Sequence, residues 1–487
     1  MQWSELLSKQ RKTEEETKIE WVERSYPINE FQRDYEKVVT SEFFRKLQDK
    51  TQVFPLDQSD FTRTRLTHSI EVSTIAKRLG NMIMSNISKK ERVPRIELGQ
   101  KDKEDIENIL LAAGLLHDVG NPPFGHFGES VIREWFEGIG AKYLEELSER
   151  QQKDFTKFEG NAQTLRILTK LHPDREYAGM NLTYGLLNTL IKYPVSSNEQ
   201  NKNDDDVKMH KAGYFDSEEA EFDAITTATG TRQGETIPYR HPLTFILEAA
   251  DDIAYVTADL EDAYKKGLFS IDTVTKCFDE YLKEYEEQNM RSQDGNIQNN
   301  LRYSRKIVDE LKQYKDEDET TAFHRWVFFA RQWLMYCAAY KFADNYGKIM
   351  KGSYSEELLQ GTFQELTVDI IKKKIMTEYV FNDTGILHLE LAAQKIINTL
   401  LERFVPAVLS FDAEKGKCAS ASMNKLYHLL PLELRKSYKH WYSQADKDSE
   451  RFESEDIYHK LLLVTDYISG MTDSYAKNIY QSLEGIY

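Results

Sequence analysis

Two histidines and three aspartates have the types and spacing that could bind a divalent metal ion. His117 and Asp118 stand together where an apolar stretch, LLAAGLLHDVG, meets the tight turn GNPPFG. His68 lies upstream in RTRLTHSIEVS, and Asp251 and Asp252 lie downstream in LEAADDIAY. Imidazole nitrogen and carboxylate oxygen together suit manganese, magnesium, iron, cobalt, nickel or zinc rather than a soft metal.

An adjacent His-Asp pair is weak evidence by itself, because a histidine beside a helix-capping aspartate is common. Neighbouring helical residues point about 100° apart, but at a helix end beside a turn both side chains can reach one ion. The aspartate pair at 251–252 interrupts an otherwise apolar helix, and a buried carboxylate needs a partner or a metal. The order His, His-Asp, Asp therefore predicts a metal-dependent hydrolase whose site leaves positions open for water and substrate.

Helices must position these residues, because helical periodicity dominates the chain. Stretches such as THSIEVSTIAKRLGNMI, DIENILLAAGLLHDVG and FILEAADDIAYVTADLEDAY space apolar residues three and four apart. Alternating strand patterns are scarce, although GYFDSEEAEFDAIT and TTATGTRQGETIPY could hold one short β-hairpin. Residues 88–104, 195–213 and 287–300 are polar and predict surface connections. The predicted fold class is mainly α, with at most that hairpin.

Composition limits the classes of partner and compartment. The 487-residue chain has 64 Lys and Arg against 81 Asp and Glu, a formal charge of −17, which argues against a general nucleic-acid-binding surface. An anionic substrate would therefore need a local positive pocket. No segment approaches the roughly 20 apolar residues of a membrane helix, and the first residues do not read as a secretory signal. Three scattered cysteines favour neither a disulfide framework nor a cysteine-type zinc site, so we expect a cytoplasmic protein.

The order His, His-Asp, Asp resembles the pattern of the HD-domain phosphohydrolases. The flanking motifs narrow the resemblance to the deoxyguanosine triphosphate triphosphohydrolases, in whose order they occur: LQDKTQVFPL, RTRLTHS, GLLHDVGNPPFGHFGE, FEGNAQTLRIL, NLTYGLLNTLIKYP and EAADDIAYVTADLEDA. The resemblance implies an HD-domain catalytic core over 30–270. Residues 1–29 would form an N-terminal helical segment, and 271–487 a helical C-terminal region that packs on the core.

The resemblance implies a reaction and a set of metal ligands. Members of that family hydrolyse a dNTP at the α-phosphorus, giving a deoxynucleoside and inorganic tripolyphosphate, so dGTP is the expected substrate. By position, the ligands would be His68, His117, Asp118 and Asp251, since the family uses the first aspartate of the pair. Manganese or magnesium is the expected ion, and cobalt, iron, nickel or zinc would also fit.

The resemblance also implies which residues contact the nucleoside. A helix places Tyr255 one turn and Asp259 two turns beyond the aspartate ligand, and in the family these positions meet the deoxyribose. The tyrosine ring would lie under the sugar, where close packing would exclude a 2′-hydroxyl. The segment LQDKTQVFP matches one that lines the nucleoside pocket, which implies Gln48, Gln52 and Val53 as further substrate contacts.

An acid–base pair and phosphate-binding residues complete the predicted site. His126 and Glu129 can touch if their segment is helical, and the carboxylate would then fix the imidazole tautomer. The family uses this pair near the attacking nucleophile. Arg65 precedes the first histidine ligand by three residues, and Lys192 and Tyr193 stand at a helix end. The resemblance implies that Arg65 and Lys192 contact the phosphates and that Tyr193 lies nearby as a substrate-binding residue.

Three functions stay open on the sequence alone. The first is the dNTP triphosphohydrolase. The second is another HD-domain nucleotide phosphohydrolase, such as a nucleotidase or phosphodiesterase, which shares the ligands but not the sugar-facing pair. The third is a nucleotide or single-stranded-DNA sensor with vestigial catalysis, which the complete ligand set disfavours. The resemblance further implies a homo-oligomer, for example a hexamer, and single-stranded DNA or a dNTP as effector.

Overall fold

The computed structural model describes residues 1–13, 28–57, 59–89, 98–171, 179–234, 236–289, 295–313 and 318–486. In these ranges the chain is helical, and its extended pairing amounts to three isolated β-bridges. The predicted mainly α fold is therefore confirmed. No helix within these ranges has both the length and the apolarity needed to cross a membrane.

Twelve helices precede residue 270 in the described ranges, and they carry the predicted site. They are α1 Trp3–Leu6, α2 Glu30–Thr40, α3 Glu42–Lys46, α4 Arg65–Lys89, α5 Gln100–Leu116, α6 Gly125–Glu137, α7 Glu149–Thr156, α8 Gly160–Arg166, α9 Tyr184–Leu190, α10 Glu219–Ala228, α11 Pro242–Ala254 and α12 Leu260–Lys265. Two π-helical segments, Ile167–Leu171 and Tyr255–Asp259, continue α8 and join α11 to α12. Short 3₁₀ turns lie at Leu47–Asp49, Ala141–Tyr143, Val207–Met209 and Asp216–Glu218.

Nine further helices follow in the described part of the C-terminal region. They are α13 Ile271–Gln288, α14 Gly295–Gln313, α15 Glu319–Met350, α16 Glu365–Asp369, α17 Thr384–Leu409, α18 Ala421–Leu429, α19 Leu432–Gln444, α20 Phe452–Ser469 and α21 Asp473–Glu484. A long π-helical segment, Ile370–Phe381, continues α16. Part of the predicted N-terminal segment, residues 14–27, lies outside the described residues.

The short β-hairpin that the fold prediction allowed does not form in the described residues. Its first half forms the 3₁₀ turn Asp216–Glu218 and then α10. Phe222 and Ile225 are buried three residues apart, so the helical period decides the conformation there. The second half contains no strand in its described residues, which exclude residue 235.

The helices that carry the site pack closely around α4. This helix lies against α5, α11 and α15. Gly114 in α5 permits the closest approach, because a Cβ there would lie 2.4 Å from the Ser73 Cα of α4. Pro242 at the first turn of α11 has no N–H to leave unpaired, and His241 caps the helix by accepting from the Leu243 N–H at 3.2 Å. Burial lowers the pKa of His241 to about 4, which keeps the ring neutral and able to accept.

Two hydrophobic clusters hold the described helices together. The first surrounds α4, α5, α11 and α15. The second joins residues 124–171 of the N-terminal half to residues 393–476 of the C-terminal region. The C-terminal helices are thus buried against the segment that contains α6, α7 and α8. The predicted division near residue 270 stays a prediction.

Candidate active site

Three elements bring the predicted metal ligands to one point. His68 lies in the first turn of α4, His117 directly follows α5, and Asp251 lies within α11. One ligand atom of each lies within 4.8 Å of the others. Asp251 Oδ1 is 3.2 Å from His68 Nε2 and 3.3 Å from His117 Nε2, and Asp118 Oδ2 is 3.4 Å from the same His117 nitrogen.

The orientation of the His117 ring indicates that this donor set fits a divalent ion. Its Nδ1–H donates to the Gly114 carbonyl at 2.8 Å, which fixes the tautomer and directs the Nε2 lone pair at the carboxylates of Asp118 and Asp251. Lone pairs facing one another need a cation between them. Although burial opposes it, the two carboxylates raise the pKa of His117 to about 10, so a proton occupies that place when no metal does.

Asp251 and Asp252 face different neighbours. Asp251 contacts both histidines, and Lys192 donates to its Oδ2 at 2.9 Å. Burial would raise the pKa of Asp251, but Lys192 and His117 hold it well below the usual range. Asp252 instead accepts from Lys372 at 2.7 Å, and burial raises its pKa. The first aspartate of the pair is therefore the one that lies against the histidines.

A cavity of about 290 Å³ opens beside this cluster, close to the lower end of the range for small-molecule sites. It is lined by Gln52, Arg65, His117, Asp118, Asn121, His126, Asn161, Lys192, Tyr193, Lys211, Asp251, Asp252, Tyr255 and Lys372. Nine of these are residues that the sequence analysis assigned to the site. The cavity wall is thus built mainly of ionisable and amide side chains, as an ionic ligand requires.

Two cations lie directly on the predicted metal ligands. Arg65 Nη1 is 2.7 Å from Asp118 Oδ2, and Lys192 Nζ is 2.9 Å from Asp251 Oδ2. Both cations line the cavity. A divalent ion bound to Asp118 and Asp251 would neutralise these carboxylates in place of Arg65 and Lys192. The two cations could then bind an anionic ligand. The site is therefore suited to bind a metal and a phosphate together.

His126 and Glu129 form the predicted pair at the cavity mouth. His126 Nδ1 lies 3.1 Å from Glu129 Oε2, and the imidazole is 75% exposed while the carboxylate is buried. Glu129 also accepts from the Gly160 N–H at 2.8 Å and from Arg133 at 3.2 Å. Burial would raise the pKa of Glu129, but His126, Lys211 and Arg133 lower it to about 2. Glu129 is thus an ionised anchor that orients an exposed imidazole.

Gly160 is required at this position by close approach. A Cβ there would lie 2.3 Å from Asn121 Oδ1 and 2.7 Å from Glu129 Oε1. Asn121 in turn donates to Asp118 Oδ1 at 2.6 Å. Gly160 therefore allows Asn121 and Glu129 to lie side by side. Asn121 orients the proposed ligand Asp118, and Glu129 orients the His126 imidazole.

The 118–126 turn is held from the C-terminal region. Phe124 has a left-handed backbone conformation, φ 63°, and its N–H donates to Asp473 Oδ1 at 2.9 Å. Asp473 Oδ2 accepts from the N–H of Thr51 at 2.9 Å and also from its hydroxyl. Strained non-glycine conformations persist only where surrounding contacts enforce them. The hydrogen bond to Asp473, at the start of α21, holds Phe124 in this conformation.

A buried lysine makes a second connection to the same turn. Lys50 donates to the Asn121 carbonyl at 2.6 Å and to the Ser469 carbonyl at 2.7 Å. Its side chain is 3% exposed, and burial lowers its pKa to about 7. Lys50 could not be predicted from the sequence, because nothing in its neighbourhood in the chain distinguishes it from a solvated lysine.

The π-helical segment Tyr255–Asp259 places two further predicted residues. Tyr255 lines the cavity, and Asp259 is 1% exposed with neither carboxylate oxygen hydrogen bonded. Burial raises the pKa of Asp259 well above the usual range. Single π turns in otherwise regular helices are frequent at functional sites. A buried carboxyl without a partner, one turn from the cavity, suits a ligand hydroxyl.

The segment LQDKTQVFP is only partly brought to the cavity. Gln52 lines it, and its buried Oε1 has no hydrogen-bond partner. Val53 is half-buried against the first hydrophobic cluster, and Gln48 is exposed on the 3₁₀ turn Leu47–Asp49. Neither Gln48 nor Val53 is among the described residues that line the cavity, so their assignment to the substrate stays a prediction.

Besides Asp252, which the sequence offered only as an alternative to Asp251, four residues that line the cavity were not predicted. Asn121 and Asn161 lie within the motifs GLLHDVGNPPFGHFGE and FEGNAQTLRIL, but amides carry little signal of their own. Lys211 comes from the polar connection 195–213 and lies 3.4 Å from Glu159. Lys372 comes from the C-terminal region, in a run of three lysines of which no local signal marks the first.

Comparisons with known proteins agree with this site. The HD domain family matches residues 65–189, the part that holds three of the four predicted metal ligands. The chain is 42% identical to a deoxyguanosinetriphosphate triphosphohydrolase-like protein of Listeria innocua and 32% identical to one of Synechocystis, over the full length of both chains. It is 31% identical to a deoxyguanosinetriphosphate triphosphohydrolase of Serratia proteamaculans, over 94% of each chain.

Proposed function

The chain belongs to the deoxyguanosinetriphosphate triphosphohydrolase family of HD-domain hydrolases, and on that premise we propose that it hydrolyses dNTPs to a deoxynucleoside and inorganic tripolyphosphate. We propose dGTP as the preferred substrate. The proposed hydrolysis is supported most by one observation. A metal-ligand cluster, an exposed imidazole and several cations converge on one cavity. Each of these is a part that phosphoryl chemistry needs.

The proposed metal centre is formed by His68, His117, Asp118 and Asp251. A divalent ion there, manganese or magnesium by preference, would supply Lewis acidity toward a phosphoryl oxygen. The hydrogen bond from His117 to the Gly114 carbonyl presents Nε2 to the centre. Arg65 and Lys192, which lie on the two carboxylates, would then bind the phosphates and stabilise the charge that develops during transfer.

The proposed acid–base residue is His126. Its Nδ1 is engaged by Glu129, so Nε2 is the nitrogen left to exchange a proton with water or with the leaving oxygen. Such a group typically contributes a factor on the order of 10²–10⁴ to the rate. Because Glu129 is buried and anchored to the Gly160 N–H, the imidazole has one preferred orientation although it is exposed.

Tyr255, Asp259 and Tyr193 are proposed as further substrate contacts. In the proposed complex the Tyr255 ring supports the sugar, and Asp259 bonds its 3′-hydroxyl. The lack of any partner for the buried Asp259 carboxyl supports this role, since an unpaired buried polar group is costly. Tyr193 lines the cavity next to Lys192 and is proposed to contact the phosphates. Gln52, with its buried unpaired oxygen, is proposed for the base.

The test is the identity of the products. The protein is incubated with each of the four dNTPs in Mn²⁺ or Mg²⁺, and phosphate species are separated by ion chromatography. We expect tripolyphosphate and deoxynucleoside in equal amounts, fastest with dGTP. Pyrophosphate or monophosphate as the product would instead identify another HD-domain nucleotide phosphohydrolase. His126→Ala should abolish turnover, whereas His428→Ala, on the exposed face of α18, should not.

Assembly and effectors are proposed from the family alone, and the compartment from the scattered cysteines. We propose a homo-oligomer, for example a hexamer, in the cytoplasm, with single-stranded DNA or a dNTP as effector. Light scattering on the purified protein, with and without each effector, tests the assembly. Binding of single-stranded DNA by a protein that never turns over a dNTP would favour the sensor function.

A further inference from the structure

We propose that Lys372, in the C-terminal region, is a phosphate-binding residue of the active cavity and that Asp252 holds it in position. This inference rests on the proposed function, because it concerns the polyphosphate part of the same substrate. It assigns to the C-terminal half a direct part in recognising the ligand.

The position of Lys372 is the first support. It lies in the π-helical segment Ile370–Phe381 and lines the cavity together with Lys192 and Tyr255. Its Nζ is 2.7 Å from Asp252 Oδ1 and 5.5 Å from the centre of the Tyr255 ring. The ammonium group is thus fixed at the cavity wall. It comes from the C-terminal region, whereas the other cations of the cavity come from the N-terminal half of the chain.

The partner of Lys372 distinguishes it from Arg65 and Lys192. Arg65 and Lys192 lie on carboxylates that belong to the proposed metal centre. Asp252 is not part of that centre, so its ion pair with Lys372 persists whether or not a metal is bound. Burial opposes the charge on Lys372, but Asp252 raises the pKa of the ammonium group and so favours its charged form.

The Lys372 side chain remains partly accessible at the cavity wall. The Lys372 side chain keeps 33% of its surface accessible, and a lysine ammonium has three donors of which Asp252 uses one. The neighbouring Lys373 shows the contrast, since it is 66% exposed and pairs with Asp369 of its own helix on the outer surface. The two remaining donors of Lys372 are available to phosphate oxygens.

Binding of inorganic tripolyphosphate to the metal-loaded protein tests the inference without requiring turnover. Lys372→Ala should weaken binding in calorimetry roughly 10- to 100-fold, the range of a lost charge-assisted hydrogen bond. Lys372→Arg should recover part of the loss, and Lys373→Ala should stay within twofold of the wild type. Deoxyguanosine, which has no phosphate, should bind all variants alike. Tripolyphosphate binding by Lys372→Ala within threefold of the wild type would overturn the inference.

A double variant separates phosphate binding from simple neutralisation of Asp252. Asp252→Asn combined with Lys372→Gln removes both charges and preserves the shape of the pair. If Lys372 only neutralises Asp252, the double variant should bind tripolyphosphate as the wild type does, and the inference is wrong. If Lys372 binds phosphate, the double variant stays at least fivefold weaker. Thermal midpoints and metal content are measured for every variant so that only folded, loaded proteins are compared.

The kinetic result distinguishes this inference from the proposed function. If the wild type releases no tripolyphosphate from any dNTP, the proposed function fails, while the calorimetric comparison still decides the role of Lys372. If the wild type is active, kcat/KM for the preferred dNTP should fall in Lys372→Ala by the same factor as the affinity for tripolyphosphate.

Discussion

Replacing Glu129 with glutamine removes the negative charge of a carboxylate that contacts three other residues. The carboxylate accepts from the Gly160 N–H at 2.8 Å and from Arg133 at 3.2 Å, and it lies 3.1 Å from His126 Nδ1. Glutamine has the same size, so no cavity forms. It keeps one acceptor oxygen for Gly160 but turns an amide toward Arg133 and His126, which are donors. We therefore expect Glu129→Gln to lower both stability and activity.

The loss of stability follows from the pKa of the carboxyl group. His126, Lys211 and Arg133 overcome burial and lower the pKa of Glu129 from 4.5 to about 2. A difference of about 2.5 units at 1.36 kcal/mol per unit corresponds to about 3 kcal/mol. That figure is a ceiling, because removing this charge also relieves Glu159, whose pKa is raised by burial and by Glu129.

The direction of the pH dependence is fixed by the lowered pKa. The folded state binds this proton less tightly than the unfolded state, so the contribution is fully present above pH 4.5 and is lost as pH falls toward 2. The difference in unfolding free energy between the wild type and Glu129→Gln should therefore be constant from pH 5 to 7. Below pH 4.5 it should shrink by up to about 1.4 kcal/mol per unit.

Urea unfolding followed by circular dichroism, at pH values from 3.5 to 7, measures this difference. Glu134→Gln is the matched control, since Glu134 lies exposed on the same helix, α6. Its stability should match that of the wild type throughout. A difference for Glu129→Gln that does not change with pH would refute the reasoning. In the same proteins, dNTP turnover should fall on the order of 10²-fold or more, since His126 loses its orientation.

Three further substitutions test other parts of the site. Asp251→Asn should lower bound metal, measured by plasma mass spectrometry after dialysis, whereas Asp252→Asn should keep it; equal metal content in both would contradict the assignment of the ligand. Tyr255→Ala should reduce the preference for dGTP over GTP at least tenfold in competition assays, and an unchanged preference would argue against a contact with the sugar. Asp473→Asn removes a charge that holds the 118–126 turn, so it should cost about 2 kcal/mol of stability and most of the turnover; Ser474→Ala, exposed on the same helix, should cost neither.

The sequence predicted the helical class and the positions that meet at the metal-ligand cluster. This was possible because each ligand stands at a distinct local break, such as the end of an apolar stretch before GNPPFG or a carboxylate pair inside an apolar helix. Periodicity also predicted that Arg65 and His68 lie on one helix. The first half of the hairpin that the sequence also allowed forms a helix instead, because the helical spacing of Phe222 and Ile225 prevails over short alternating runs.

What could not be predicted depends on contacts between distant parts of the chain. Lys372 reaches Asp252 from 120 residues away, and Lys50 reaches Ser469 from 419 away. Nothing local distinguishes such lysines from solvated ones, since their burial is decided by how helices pack. The π turn at Tyr255–Asp259 is likewise invisible in a sequence that reads as continuous helix. The exposed position of Gln48 also follows from packing alone.

The long-range contacts of the 118–126 turn have a consequence for protein synthesis. Asp473 follows Phe124 by 349 residues, so a ribosome that adds about 5–20 residues per second needs roughly 20 to 70 seconds to travel between them. During that interval the nascent chain already carries His117 and Asp118, but neither Asp473 nor the Ser469 carbonyl is available to fix the turn. The turn beside the proposed metal ligands is therefore completed only when translation is nearly finished.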